Sequence, residues 1–414
     1  MTESTNAWLK IVGIGEDGWE GLNPQAKQAI ESADILYGGE RHLALIPKNY
    51  AARRTWPSPM APAVHHILTE LRGQQVTVLA SGDPMLHGVG ATLTRNLSPE
   101  EFRVIPHVSA FTLACARLGW PSHETTLISL VHRAPEELLR HLYPNHRLIV
   151  FSADATTPAT VAQLLTKSGY GPSQLHVFEN MGGPTERHTT EIAANWPSQP
   201  VSNLNLIALE VSVPHSSAVS SSMSGTTASL APGLPDEAFQ TDGQLTKREV
   251  RAITLARLAP LPGQLLWDVG AGSGSIATEW MRQHPANSAI AFESNEARAA
   301  NIRTNALQLG VPTLKIILGQ APETFASQSP PNAIFLGGDV ASSTLFEACW
   351  ATLRAGGRLV ANAVTLDGEA ALIARHILHG GDLTRIAISR AEPIGTSHIW
   401  RPLAPITQWT VIKP

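Results

Sequence analysis

Short apolar runs rich in β-branched residues recur along the whole chain, separated by stretches with helical spacing. In the first half LKIVGIG, VTVLASG, FRVIP, TTLISLV, RLIVFSA, QLHVFEN and NLNLIALEV read as strands, with helices such as PQAKQAIESA and PATVAQLLTKSG between them. That alternation predicts α/β layers. The second half repeats it with LLWDVGAGSG, SAIAFES, LKIILGQ, AIFLGG, GRLVANAV, LTRIAISRAE and TQWTVIK. The first five of these are interleaved with helices and the last two lie close together, which predicts a doubly wound, seven-stranded parallel sheet ending in an antiparallel edge pair. Between the halves, Pro214 to Pro235 reads PHSSAVSSSMSGTTASLAPGLP, an uncharged stretch unable to bury enough apolar surface to offset its ordering entropy. The expected organisation is a domain over 1–212, a linker over 213–239 and a second domain over 240–414.

Composition narrows the class. With 414 residues, two or three domains are expected, and 43% hydrophobic against 15% charged residues excludes a disordered or coiled-coil chain. Lys and Arg number 30 against 34 Asp and Glu, and no cluster of five basic residues occurs, so no nucleic-acid partner is expected. Apolar runs are strand-sized, which predicts no membrane span. Cys115 and Cys349 sit far apart in apolar contexts, so neither a disulfide framework nor a metal site is indicated. MTESTNAWLK carries no apolar segment of signal-peptide length, and a cytoplasmic protein is expected.

The clearest chemistry lies in the second half. The strand ending at Asp268 runs into Gly270-Ala271-Gly272-Ser273-Gly274, and a helical stretch follows. A glycine turn in this setting lets a nucleotide approach backbone closely. The G-x-G-x-G spacing, with Asp268 two residues upstream, suits a ligand without phosphate. Glu293 ends the next strand, near the interval at which a carboxylate meets ribose hydroxyls, and together these predict an adenosine ligand. This set resembles the first two motifs of the Rossmann-like class I S-adenosylmethionine (SAM) methyltransferases. Asp242-Gly-Gln-Leu-Thr246-Lys-Arg-Glu-Val-Arg251 and Phe335-Leu-Gly-Gly338 resemble the decarboxylating methyltransferase domain of corrin biosynthesis. The resemblance assigns SAM contacts to Thr246, the glycine loop, Glu293 and Gly319-Gln320-Ala321. Thr246 also reads as a helix N-cap completed by Glu249 in a capping box. Asp339 stands where that family pattern leads to a small residue, and is a candidate for the chemistry.

In the first half, Gly13-Ile-Gly15-Glu-Asp-Gly18 matches a dinucleotide fingerprint in letters only, because Trp19-Glu-Gly-Leu intervenes before a helix signalled by Asn23 and Pro24. Ser81-Gly82-Asp83-Pro84 is a second strand-to-loop corner, where Asp83 is expected to cap a helix opening at Pro84. With the loop His107-Val-Ser109-Ala110 and Glu179-Asn-Met-Gly-Gly-Pro-Thr-Glu186-Arg187, these motifs occur in the order of the tetrapyrrole (class III) methyltransferase fold. That resemblance implies a SAM cleft between two α/β lobes, built from Gly13, Gly15, Ser81 to Pro84, Ser109 and Ala110. Ser129-Leu-Val-His132-Arg133 departs from the Ser-x-His-Gly-Arg run of the fold, and His132 and Arg133 are the substrate-side candidates.

Together the resemblances cover nearly the whole chain outside the linker, in the order found in the fused corrin-pathway methyltransferases. They imply two SAM sites per chain, and methylation of the tetrapyrrole precorrin-6Y at C-5 and C-15. They also imply decarboxylation of its C-12 acetate to give precorrin-8X, and a homo-oligomer. Two other classes keep the same glycine motifs: a two-domain SAM methyltransferase acting on RNA or protein, and a non-catalytic SAM- or tetrapyrrole-binding protein. The missing basic face disfavours RNA.

Overall fold

A computed structural model describes residues 7–48, 51–197, 201–213 and 229–414. Its contacts divide the chain into two compact units, residues 1–133 with 144–215, and residues 134–143 with 216–414.

The first unit holds two five-stranded sheets. One is wholly parallel, with β1 (Leu9–Ile14), β2 (Ile35–Gly38), β3 (Ala52–Thr55), β4 (Val76–Ser81) and β5 (Phe102–Ile105) in the order β3-β2-β4-β1-β5. The centre of this sheet is dry on both faces, with Leu9, Ile11, Val12, Val76 and Val78 all at 0% exposure. The other contains β6 (Thr126–Ser129), β7 (Arg147–Phe151), β8 (Gln174–Glu179), β9 (Arg187–Ile192) and β10 (Asn205–Glu210) in the order β6-β7-β10-β8-β9. Here β6 and β7 are parallel and the remaining pairs antiparallel. Asn23 caps the helix Pro24–Glu31 by accepting from the Ala26 amide at 2.9 Å, with Pro24 at its first position, as its sequence signal predicts.

The second unit contains a sheet of β11 (Leu265–Val269), β12 (Ser288–Glu293), β13 (Lys315–Leu318), β14 (Ala333–Leu336), β15 (Arg358–Ala363), β16 (Asp382–Ile386) and β19 (Ile406–Ile412), ordered β13-β12-β11-β14-β15-β19-β16. Five strands are parallel, and β19 runs antiparallel to both β15 and β16. The crossover point between β11 and β14 lies where order reverses, the position at which open α/β sheets bind ligands. Two apolar layers flank the sheet, one around Trp267, Phe292 and Trp409 and the other around Trp280, Ile302 and Phe335. The run LTRIAISRAE is not one strand: it divides into β16 and β17 (Ser389–Ile394), and β17 turns back on β18 (Ser397–Pro402) as a separate hairpin. Its polar, exposed residues have no sheet face to join.

Of the expected linker over 213–239, residues 214–228 lie outside the described residues. Its C-terminal end is not linker in character. Gly233 and Leu234 donate their amides to the buried Glu279 carboxylate, and Leu234, Ala238 and Phe239 are buried with Leu309. The packed second domain thus begins by Gly233, because three apolar side chains in DEAF and its flank have a core to enter.

Candidate active sites

In the first unit three loops meet at the C-terminal ends of β1, β4 and β5. Gly82 donates to the Ile14 carbonyl at 3.0 Å, and the His107 amide donates to the Gly82 carbonyl at 3.2 Å. A Cβ on Gly13 would lie 1.9 Å from the Gly82 carbonyl oxygen, so only glycine permits this approach. The loops border a cavity of about 500 Å³ lined by Gly15, Ser81, Gly82, Asp83, Ser109 and Ala110 among others. Gly13 and Pro84 are buried behind it. Ser109 caps the helix Ala110–Leu118, its Oγ accepting from the Thr112 amide. Asp83 does not cap a helix at Pro84. Its Oδ1 accepts from the Met85 amide at 2.8 Å, a tight turn follows, and the helix opens only at Val89.

Polar groups cluster on the cavity wall. The Arg41 guanidinium pairs with Glu16 and donates to Ser81 Oγ at 3.0 Å, and His42 Nε2 lies 2.9 Å from the same hydroxyl. Burial, reinforced by the Arg41 charge, lowers the His42 pKa to about 4, so this imidazole is neutral at neutral pH. His107 Nε2 lies 3.1 Å from Asp17 Oδ2 on the same wall. His132 and Arg133 stand exposed on the turn after β6, outside the cavity lining, with His132 in the left-handed region at φ 58°. Their neighbour Val131 does reach the cavity.

In the second unit the loop after β11 has φ of 71°, 59° and 70° at Gly270, Gly272 and Gly274. A Cβ on Gly270 would sit 2.8 Å from Gly338, which brings the Phe335 to Gly338 segment directly under the loop. Glu293 is buried at 5% exposure and accepts from the Gly272 amide (2.8 Å) and the Asn295 amide (3.0 Å), one bond to each oxygen. Gly319 follows on the neighbouring strand end, donating to the Glu293 carbonyl at 3.0 Å, with Gln320 and Ala321 next in the chain. Beneath the loop Asp268 is 1% exposed: Oδ2 accepts from the Ala277 amide at 3.0 Å and Oδ1 has no partner among the described residues. Burial, with a smaller contribution from Glu293, raises its pKa to about 7. Ser273 Oγ is likewise buried and has no partner among the described residues.

A cavity of about 320 Å³ opens beside this loop, lined by Thr246, Gly270, Ala271 and Gly272, with Leu245, Phe335, Ile386 and Leu403 among its apolar residues. The capping box expected at Thr246 does not form. Lys247 occupies the N-cap without a side-chain bond, and Glu249 instead pairs with Arg390 Nη2 at 2.6 Å. Thr246 holds its helix through its carbonyl, which accepts from Arg251 at 2.6 Å, and its side chain is left to the cavity. Arg251, at 0% exposure, also joins Glu279 and Asp236, binding the segment before the helix to the sheet layer. Asp339 is exposed at φ 48° and does not line the cavity. The residues present fit SAM in that Gly270 and Gly272, both crowded against an added Cβ, wall the cavity with backbone, while Glu293, which holds the loop through the Gly272 amide, stands behind it with Gln320 and Ala321, outside the cavity lining.

The tetrapyrrole (corrin/porphyrin) methylase family matches residues 9–194, and the precorrin methyltransferase domain family matches residues 237–413. Precorrin-6Y C(5,15)-methyltransferase [decarboxylating] of Sinorhizobium sp is 45% identical over 408 residues, covering 98% of this chain and 96% of that protein. The chain belongs to the precorrin-6Y C5,15-methyltransferase (decarboxylating) family. Two shorter Salmonella typhimurium relatives also match: cobalt-precorrin-7 C(5)-methyltransferase, at 34% identity over 43% of this chain and 88% of that protein, and cobalt-precorrin-6B C(15)-methyltransferase (decarboxylating), at 30% over 39% and 85%.

For a member of this decarboxylating methyltransferase family, the sequence motifs marked the floor of each cleft and missed its walls. Arg41 and His42 in the first cavity and Asn362 in the second follow no spacing rule, whereas Asp17, His107 and Lys247 lie within the runs Gly13 to Gly18, His107 to Ala110 and Asp242 to Arg251 but carry no signal of their own. The one available signal was the pair of glycines, Gly38-Gly39, that turns the chain from β2 toward Arg41 and His42.

Proposed function

We propose that the protein methylates precorrin-6Y at C-5 and C-15 and decarboxylates its C-12 acetate, giving precorrin-8X. C-5 methylation belongs to the domain over 1–212, and C-15 methylation with decarboxylation to the second domain, over 233–414. The carrying observation is the presence of two glycine-built cradles of different architecture, one in each family-matched region. Each cradle takes its own SAM, so that two bind per chain. The separate C(5)- and C(15)-methyltransferases of Salmonella support this division of labour.

SAM, when bound, supplies an electrophilic methyl group. The protein's part is placement and exclusion of water. In the second domain Glu293 fixes the loop through Gly272 and offers its remaining lone pairs to a ribose, while Leu245, Phe335, Ile386 and Leu403 line the cavity with apolar surface. In the first, Arg41, Ser81 and neutral His42 supply polar contacts on a wall that accommodates a carboxylate-rich macrocycle. The helix Leu366–His379 leaves Leu366, Ile373, Ile377 and Leu378 exposed, an apolar face that supports a homo-oligomer. Among the described residues no helix is long and apolar enough to cross a membrane, in keeping with action in the cytoplasm.

Calorimetric titration with SAM tests the cofactor count, with two sites expected. Incubation with SAM and precorrin-6Y tests the reaction, with a product carrying two added methyl groups and lacking one carbon dioxide expected by mass. A product that keeps the carbon dioxide would overturn the assignment.

A further inference from the structure

One polar cluster in the second domain joins two strands of the sheet to the helix packed on them. Asn362 near the end of β15 pairs across strands with Gln408 of β19, and Thr254 reaches them from the helix Arg248–Leu258. Asn362 Nδ2 donates to Thr254 Oγ1 at 3.0 Å. Gln408 Nε2 donates to Asn362 Oδ1 at 2.9 Å and to Thr254 Oγ1 at 3.0 Å, and Thr254 Oγ1 donates to the Val250 carbonyl at 2.8 Å. Thr254 and Gln408 are 0% and 1% exposed, and Val360, on the same face of the sheet as Asn362, is fully buried. Three amide or hydroxyl side chains in such a layer cost stability that apolar residues would not. Gln408 Oε1 moreover has no partner among the described residues.

What the cluster achieves is to fix one amide. Of its three members only Asn362 lines the cavity beside the glycine loop. Its carbonyl and one N–H are committed inside the cluster, so its orientation is set, and the second N–H of the amide has no partner among the described residues. Phe335, Ile386, Ile388 and Leu403 give the wall apolar surface, and Lys247 is the single charged residue in the lining.

We propose that Asn362 is the substrate contact that holds the acetate carboxylate for decarboxylation, with Thr254 and Gln408 as positioning residues. This rests on the reading that the second domain decarboxylates. A neutral N–H orients a carboxylate while stabilising its charge less than a cation would. In the reaction the bond between the acetate methylene and the carboxylate carbon breaks and carbon dioxide leaves. The electron pair passes into the conjugated macrocycle, and the methylene carbon takes a proton originating from water to become a methyl group. Charge leaves the carboxylate as the bond breaks, so an apolar wall favours the transition state over the bound acid anion.

The test uses the full chain carrying Asn362→Ala, Asn362→Asp or Thr254→Val, incubated with SAM and precorrin-6Y. The readout is the fraction of C-15-methylated product that has lost carbon dioxide, and SAM calorimetry reports whether the second site still folds. Loss of the contact that orients the carboxylate predicts a fall of about ten- to a hundredfold in the decarboxylation rate for Asn362→Ala, with C-15 methylation and SAM binding changed only a few-fold. Asn362→Asp falls further because two carboxylates then face each other, and Thr254→Val lies between wild type and Asn362→Ala. Wild-type decarboxylation in Asn362→Ala, or methylation and decarboxylation declining together in all three variants, overturns the proposal, as does Lys247→Met alone abolishing decarboxylation. Ala404→Trp, which fills the cavity from its rim, separates the two levels. Continued loss of carbon dioxide there overturns the domain reading itself and this proposal with it.

Discussion

Asp268 gives the glycine loop a pH-dependent foundation. Its side chain is buried, one oxygen accepts from the Ala277 amide, the other meets no donor among the described residues, and its pKa stands at about 7. An acid whose pKa is raised on folding binds its proton more tightly folded than unfolded, so its effect on stability runs downward with pH. The loss begins near the unfolded value of about 4, continues through the folded value of about 7, and is flat above. At about 1.4 kcal/mol per unit, the buried anion costs about 4 kcal/mol at pH 8 but only about 2 kcal/mol at pH 5, where most folded molecules keep the proton. Asp268→Asn retains an oxygen for Ala277 and removes the charge. Its stability relative to wild type therefore improves between pH 5 and pH 8 by about 2 kcal/mol, or roughly 4 to 8 °C in the melting temperature of a domain this size. Scanning calorimetry of both proteins at the two pH values measures that change. A gap between variant and wild type that is equal at pH 5 and pH 8 refutes the argument, because it would mean that Asp268 is not the group losing its proton.

Gly13→Ala places a Cβ on the Gly82 carbonyl, and calorimetry is expected to show the first SAM site lost and the second unaltered. Glu293→Ala removes a buried carboxylate from the second site and should weaken SAM there by roughly 1.5 to 3 kcal/mol, read in the same titration. Arg251→Met strands Glu279 as an unpaired buried charge, and denaturant unfolding should report a second-domain loss of about 3 to 5 kcal/mol.

The glycine loop of the second domain was readable because backbone geometry there permits little else: three positive φ values in five residues leave a distinct spacing in the sequence. The seven-stranded sheet was readable for a similar reason, since strands covered on both faces appear as continuous apolar runs. Three strands of the first unit carried no such mark. β2 is only ILYG, β3 is ARRT and β9 is RHTTEI, and each is a strand because a sheet edge or a neighbouring strand supplies its pairing. Thr246 shows tertiary structure overriding a local signal, where Glu249 finds Arg390, 141 positions away, in place of the helix end. The cavity walls were hidden for the same reason at longer range, as Thr254 and Gln408 meet across 154 positions and no spacing rule joins them.

We propose that the two halves of the chemistry are housed separately. Full-length Gly13→Ala and Ala404→Trp proteins, each supplied with SAM and precorrin-6Y, test it through the masses of their products. Any product of Gly13→Ala is expected to have lost carbon dioxide and gained a single methyl group, and any product of Ala404→Trp to have gained a methyl group and kept its carbon dioxide. Decarboxylated product from Ala404→Trp, with none from Gly13→Ala, would contradict it.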